Sequence, residues 1–559
     1  MAFGILEDNH LTHVPGTADI LKEERELHLP ERQAHLKYDT SGPVPILLVP
    51  QPSDDPNDPL LWPRWQKDCI LLILCVTAVL CATVGPILAA TTIEMVYEFH
   101  ISIPDAALLT GWVLCGCGVS GILIVPTARV WGKRHLYLLG CIINIASSIW
   151  AGRSGHSHKS ILWARIIQGV ALAPYESLVG ATVGDMYYVH ERGLRMAITS
   201  VSLFGGAFMT PVIGGKIAHD MGWRWNFYFI AIFTGAALFF VFFFVPETAY
   251  RRDHRLDIDM MGNYSQETVT ASLPSSETGN DDVEKNGFRS AARGMGYSTP
   301  EKPIPEKVSY IRSLALFNGR KTDERFWKLV LRPFPLFLHP GILWACLIQG
   351  VTIGWTVFIG VIFGIMFNGP PLMYTEVKVG YMYSGAFIGS LGGLFVAGAL
   401  ADPGARWLAK LNNGRYEPEF RIFLVIFQLV FAGIGLFGLG YTTDKPVKYG
   451  PYPSVVFFGF VTASMVVGAV ASCSYVVDAH RNIAVEAFTC LLVFKNMFSF
   501  ALTYKAWDWI VMRGSKNVFF YIGAVQIAIC LLSIPMYIFG KRNRSFFHRH
   551  DLLKMLHLW

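Results

Sequence analysis

Charge is scarce in this chain: Asp, Glu, Lys and Arg make up 16% of 559 residues, against 52% hydrophobic and 14% aromatic. A soluble domain of this length carries far more charge, so a water-soluble globular fold is excluded. The ten cysteines (Cys69, Cys75, Cys81, Cys115, Cys117, Cys141, Cys346, Cys473, Cys490, Cys530) form no C-x-x-C pair and lie inside apolar runs, not loops. That placement excludes a disulfide framework or a zinc site and leaves them as small hydrophobes. No phosphate-cradling G-x-x-x-x-G-K-[ST] occurs, which argues against an ATP-driven pump, and no cofactor is expected. The histidines are scattered, and the nearest pair, His156 and His158, reads as solvated, so neither a metal centre nor a membrane enzyme is indicated. The net charge of +6 is spread over loops and tails, not along one stripe, so no nucleic-acid partner is expected. Residues 1–66 lack a basic start, apolar core and cleavage site, and read as a disordered cytoplasmic tail.

What fills the chain is about twelve apolar runs of roughly 17 to 27 residues, each long enough to cross the ~30 Å hydrocarbon layer of a bilayer as a helix. They predict spans over 68–92, 106–125, 135–151, 161–182, 196–217 and 227–245, then 341–367, 379–400, 422–441, 454–477, 485–504 and 518–539. The expected fold is an all-α integral membrane protein of twelve transmembrane helices in two pseudo-symmetric six-helix bundles. The bundles occupy residues 67–246 and 341–540, joined by a cytoplasmic central loop, 247–340, with a cytoplasmic tail over 541–559. Within that loop Asn263 to Asn286 is polar and aperiodic and should be disordered. From Val308 to Arg332 aromatic and aliphatic residues return between basic ones, suiting short helices on the membrane surface or packed against the span ends.

Lys and Arg concentrate in alternate loops (Arg129, Lys133, Arg134, Arg192, Arg195, Arg406, Lys410, Arg415, Arg421, Arg481 and the run from Lys541 to Arg544), while the first loop on the other side has none. The positive-inside rule then places both termini in the cytoplasm.

Ionisable groups inside a span are costly and tend to line polar cavities. Arg165 and Glu176 are three helical turns apart on one face, about 16 Å along the axis, so they cannot pair with each other. Gln168, Gly169 and Leu172 complete that stripe. A cavity lining is the functional reading; the plain one is an Arg capping carbonyls of a neighbouring helix and a statically paired Glu. Pro174 lies opposite and favours a kink. Lys495 and Asn496 sit mid-span in the second half, and the Lys needs a partner, for which Glu176 is a candidate. Asn144, Gln349 and Tyr374 are equally readable as interhelical hydrogen bonds. Gly206, Thr210 and Gly214 form a small-residue strip beside Pro211 and Gly215, on which another helix can approach closely.

These features together resemble the major facilitator superfamily. Arg165-Ile-Ile-Gln168-Gly169 matches that family's R-x-x-Q-G element, whose Arg the resemblance implicates in proton coupling. Gly206 to Gly215 resembles the antiporter-associated G-x-x-x-G-P-x-x-G-G element, with Thr210 replacing the middle Gly. The loop after the second span keeps Gly132, Lys133 and Arg134 of G-x-L-A-D-R-x-G-R-R, but Arg129 replaces its acid. Gly398-Ala-Leu-Ala-Asp402 retains the corresponding form in the second half, with Arg406 beyond. The resemblance therefore implies inner-gate contacts resting on Asp402, Asp185 and Arg192.

Gly222 to Phe227, Val245-Pro-Glu-Thr248, Arg332-Pro333-Phe334 and Asn412 to Arg421 are similar to fungal twelve-span drug:proton antiporters, especially a polyamine- and histidinol-related branch. The resemblance implies a monomeric, proton-coupled carrier of a small organic solute, working by alternating access at the plasma membrane. Efflux by antiport is the expected mode. Symport uptake of a polyamine- or amino-acid-like cation, or a non-transporting nutrient sensor, are the alternatives. The substrate does not follow from the fold.

Overall fold

The computed structural model describes residues 4–8, 11, 14, 16–19, 37–39, 46–48, 50–251, 306–369, 372–480 and 483–558. Twelve of its helical stretches are long and apolar enough to cross a membrane. The first half comprises α1 Arg64–Phe99, α2 Ile103–Trp131, α3 Arg134–Gly152, α4 His158–Met186, α5 Arg195–Met221 and α6 Trp223–Phe244. The second comprises α7 Pro340–Asn368, α8 Glu376–Leu411, α9 Pro418–Asp444, α10 Tyr452–Ala479, α11 Ala484–Arg513 and α12 Ser515–Met555. Each apolar run coincides with one of these, 227–245 overrunning α6 by one residue, and most helices extend past the ends of their runs.

Several spans depart from regular α-helix, among them α1, α5 and α7. Helix α1 gives way to a 3-10 stretch over Pro86–Thr91, because Pro86 has no N–H to continue the ladder. Wide turns of the π type occur at Val201–Gly205 in α5 and at Leu347–Val351 in α7. Pro174 lies inside α4, which nevertheless stays helical from His158 to Met186.

Close backbone approach holds the bundles together, and glycine permits it. A Cβ on Gly116 or Gly169 would strike the facing backbone where α2 and α4 cross. Gly385, Gly389 and Gly393 do the same for α8 against Val455, Gly459 and Ala463 of α10. The strip in α5 serves several neighbours, not one: Gly206 faces Val79 of α1, Gly214 faces Asn226 of α6, and Gly215 faces the Glu376 carbonyl of α8. Thr210 turns its hydroxyl back to the Gly206 carbonyl at 2.9 Å, so the residue that replaces glycine satisfies itself within its own helix.

The halves meet along α2 and α11, where Gly111, Gly118 and Gly121 face Phe500, Met497 and Leu492. They meet again where Gly364 of α7 abuts the Ala89 carbonyl of α1 and Gly380 of α8 abuts the Pro211 carbonyl of α5. These last two contacts lie at the end opposite Lys133, Arg134, Arg192 and Arg421, which mark the basic end of the molecule.

The readings of residues 1–66 and 541–559 as tails need correction where the structure describes them. Ile5 is buried with Ala405, Ala409 and Phe420 of the second half. The Leu6 N–H donates to the Ile538 carbonyl at 3.0 Å, Glu7 pairs with Lys541 at 2.7 Å, and Ala18–Asp19 pairs antiparallel with Arg415–Tyr416. Helix α12 continues past the membrane run, placing Lys541 and Arg544 against the buried Glu417 and Glu419 at 2.8–2.9 Å. Mean polarity suggests solvated tails, but one apolar anchor and four ion pairs dock them.

Asn263 to Asn286 lies outside the described residues. The two readings of the region after it divide between two short helices. Phe326–Leu331 buries Leu329 and Val330 and stacks Phe326 on Trp131 of α2, 5.4 Å between centroids. Tyr310–Ser313 leaves Ile311 exposed.

Candidate functional site

Glu176 of α4 and Lys495 of α11 come from opposite halves and form an ion pair near the middle of both helices, with side chains only 16% and 9% exposed. The carboxylate is held from its other oxygen: Cys117 Sγ of α2 donates to Oε2 at 2.8 Å and Asn496 Nδ2 at 3.2 Å. One oxygen is thus fixed by neutral donors and the other faces an ammonium. Gly118 makes room for this arrangement, since a Cβ there would crowd Asn496.

Beside Lys495, the Oε1 of Gln349 in the wide turn of α7 accepts from Ser472 Oγ of α10 at 3.3 Å and from Cys473 Sγ at 3.4 Å. Wide turns of this kind concentrate at functional sites.

Arg165, expected on the same stripe as Glu176, is completely buried and occupied. Its guanidinium donates to the carbonyls of Leu109 (3.0 Å), Val84 (2.7 Å) and Gly85 (3.0 Å) and to Gln168 Oε1 (3.0 Å). Gln168 Nε2 passes the chain on to Ser148 at 3.1 Å. The broken turn of α1 leaves carbonyls that only a planar, multi-donor cation can satisfy together. The carbonyl-capping reading therefore describes Arg165, and the contacts of Glu176 are those of a paired carboxylate. Asn144 bonds Thr234 within the first half at 3.1 Å, the packing alternative.

At the basic end two ion pairs of the expected gate residues lie within single halves. Lys133 binds Asp185 at 2.6 Å, and Asp402 binds Arg421 at 2.6 Å, while Arg406 is solvent-exposed. Arg192 donates to the carbonyls of Tyr187 and Gly184, and Arg134 to those of Val245 and Phe242. Glu247 caps α3, accepting from the backbone N–H groups of Lys133 and Arg134 at 3.0 and 3.1 Å.

At the basic end, a charge contact among the described residues that does cross between the halves is one that sequence reasoning missed. Arg129 of α2 binds Glu486 of α11 at 2.6 Å and Glu324 of the connecting segment at 3.0 Å. Arg332 completes the ring, reaching Glu324 at 2.8 Å and Glu486 at 3.3 Å. The signal was present: Arg129 is the basic residue standing where the family motif has an acid.

Two six-helix halves enclosing a mid-membrane ion pair have the architecture of a secondary transporter. Residues 70–490 match the Major Facilitator Superfamily, and the chain belongs to that family. It is 28% identical to an MFS-type transporter of Schizosaccharomyces pombe, over 96% of this chain and 94% of that one. It is 24% identical to protein HOL1 of Saccharomyces cerevisiae, over 96% of each. A crystal structure of a D-xylose-proton symporter shares the fold at a TM-score of 0.56 and 13% identity, covering 85% of this chain and 99% of that one. The protein is a membrane transporter of small solutes, not an enzyme.

Proposed function

We propose that this transporter exchanges a small organic cation, an amine-bearing drug or metabolite, for protons, and exports it by antiport. The observation that carries this reading is Glu176: a mid-membrane carboxylate, backed by Cys117 and Asn496, lying between the halves. A carboxylate in low dielectric binds either a proton or a cation, which is the requirement for coupling two fluxes through one group. Arg165 and Gln168 hold α1, α2 and α4 in register around it. The connecting ring of Arg129, Glu324, Arg332 and Glu486 acts as the inner gate, with the pairs Lys133–Asp185 and Asp402–Arg421 stiffening each half. The working unit is a monomer with both termini in the cytoplasm, at the plasma membrane.

The test is flux of amine solutes in vesicles of known orientation under an imposed pH step. Glu176→Gln is expected to abolish gradient-driven flux while the protein still elutes as a folded monomer. Unchanged flux removes Glu176 from the mechanism. Accumulation on the side away from the proton source shows symport and overturns export by antiport.

A further inference from the structure

The ion pair across the middle of the protein holds a second function in its lysine. Cys117 and Asn496 both bind Oε2 of Glu176, and Lys495 occupies Oε1. A second ammonium there would leave the buried site one positive charge in excess, so an incoming ammonium and Lys495 compete for the single carboxylate. The surroundings of Lys495 decide its fate when it loses. Across from it on α4 stands Glu176, from α2 comes the Cys117 thiol, its own helix gives Asn496, and Cys473 of α10 and Gln349 of α7 flank it in its own half. Among these Glu176 is the one carboxylate, and the rest are neutral. A buried ammonium left facing neutral groups is strongly disfavoured, and a lysine, unlike an arginine, can escape by giving up a proton.

We infer that Lys495 is a tethered counter-cation which a protonated primary or secondary amine displaces from Glu176, and that the displaced lysine releases its proton to water. The step balances. The Lys495 ammonium loses one N–H proton and keeps the electron pair as a neutral amine, the incoming ammonium takes over Oε1, and Glu176 stays ionised. The charge of the site is unchanged by loading. Displacement also removes the charged link between α4 and α11 and leaves only the neutral Asn496 bond to Glu176, so cation binding, proton release and a loosened contact between the halves are one event. This rests on the organic-cation reading above and adds the residue that couples.

The experiment measures binding of n-butylammonium to the full chain in nanodiscs at about pH 8.5, together with proton release into weak buffer read by a pH dye. That pH lies well above the ordinary range of a carboxyl, so a carboxyl does not contribute protons. The wild type is expected to release about one proton per cation bound. Lys495→Met is expected to bind at least about tenfold more tightly with no release, its competitor being gone. Lys495→Arg keeps the pair, cannot shed a proton and is expected to bind about tenfold or more weakly, also without release. Equal release from wild type and Lys495→Met, or weaker binding by Lys495→Met, overturns the inference and leaves the cation reading standing. No binding to the wild type overturns the cation reading itself.

Discussion

Arg129 and Glu486 stand at the basic ends of α2 and α11, in different halves of the chain, and join at 2.6 Å. Glu486 is shared with Arg332, and both are almost wholly buried, at 4% and 1% exposure. Breaking a buried pair strands its partner, at a cost of about 3–5 kcal/mol, whereas the partly exposed Arg129 is worth less. Glu486→Gln should therefore lower the unfolding temperature more than Arg129→Gln does. Both should raise the labelling rate of a cysteine placed at the basic end between the halves. The exchange Arg129→Glu with Glu486→Arg leaves Arg332 with Glu324 but sets it beside a second arginine, so it should restore closure only in part.

Arg165 bonds three carbonyls and Gln168, and no titrating group is its direct partner. Arg165→Lys supplies a point charge that cannot reach them together. Stability and flux should fall in step, with the pH dependence of the remaining flux unaltered. A change in proton coupling at unchanged stability would instead give Arg165 the coupling role that the family resemblance implies.

Gly364 touches the Ala89 carbonyl where α1 and α7 close the end opposite the basic one, and Asn368 donates to the Ala90 carbonyl at 3.2 Å nearby. A methyl group there has no room unless the helices separate. Gly364→Ala should speed the labelling of Asn368→Cys by a membrane-impermeant maleimide several-fold, compared with Asn368→Cys alone.

His339 and His480 pack ring against ring, 4.5 Å between centroids, outside the spans at the basic end. Burial pushes His339 down to about 4, and it lowers His480 further, with His339 and Arg544 adding to the effect. Burial alone would raise Glu417, but Arg544 and Lys541 hold its carboxyl below the usual range. In each case the unfolded chain takes up the proton first as pH falls. Stability is therefore full at neutral pH and lost from about pH 6.5 toward pH 4, the carboxylate acting at the lower end. His339→Asn, which keeps an acceptor for the Gly341 N–H, should flatten the upper part of that decline in a melting-temperature profile.

Apolar run length was enough to give twelve helices and two halves, because bilayer thickness imposes that length whatever the packing. Lys495 and Glu176 were each visible as misplaced charges, but which helix faces which is decided by contacts far apart in sequence. Cys117 was missed because a thiol in an apolar run looks like any small hydrophobe until a carboxylate is set beside it. Arg165 gave the opposite difficulty: its cost in a membrane is the same whether it meets a substrate or the carbonyls of a broken turn. The small residues of α5 were legible as places of close approach, but not that they face three different helices.

Residues 4–8 fasten to α12, and the contact between Glu7 and Lys541 spans 534 positions of the chain. During synthesis that segment leaves the ribosome long before its seat exists. A segment made before either bundle is thus among the last to settle, and its arrival certifies that the second bundle has been completed.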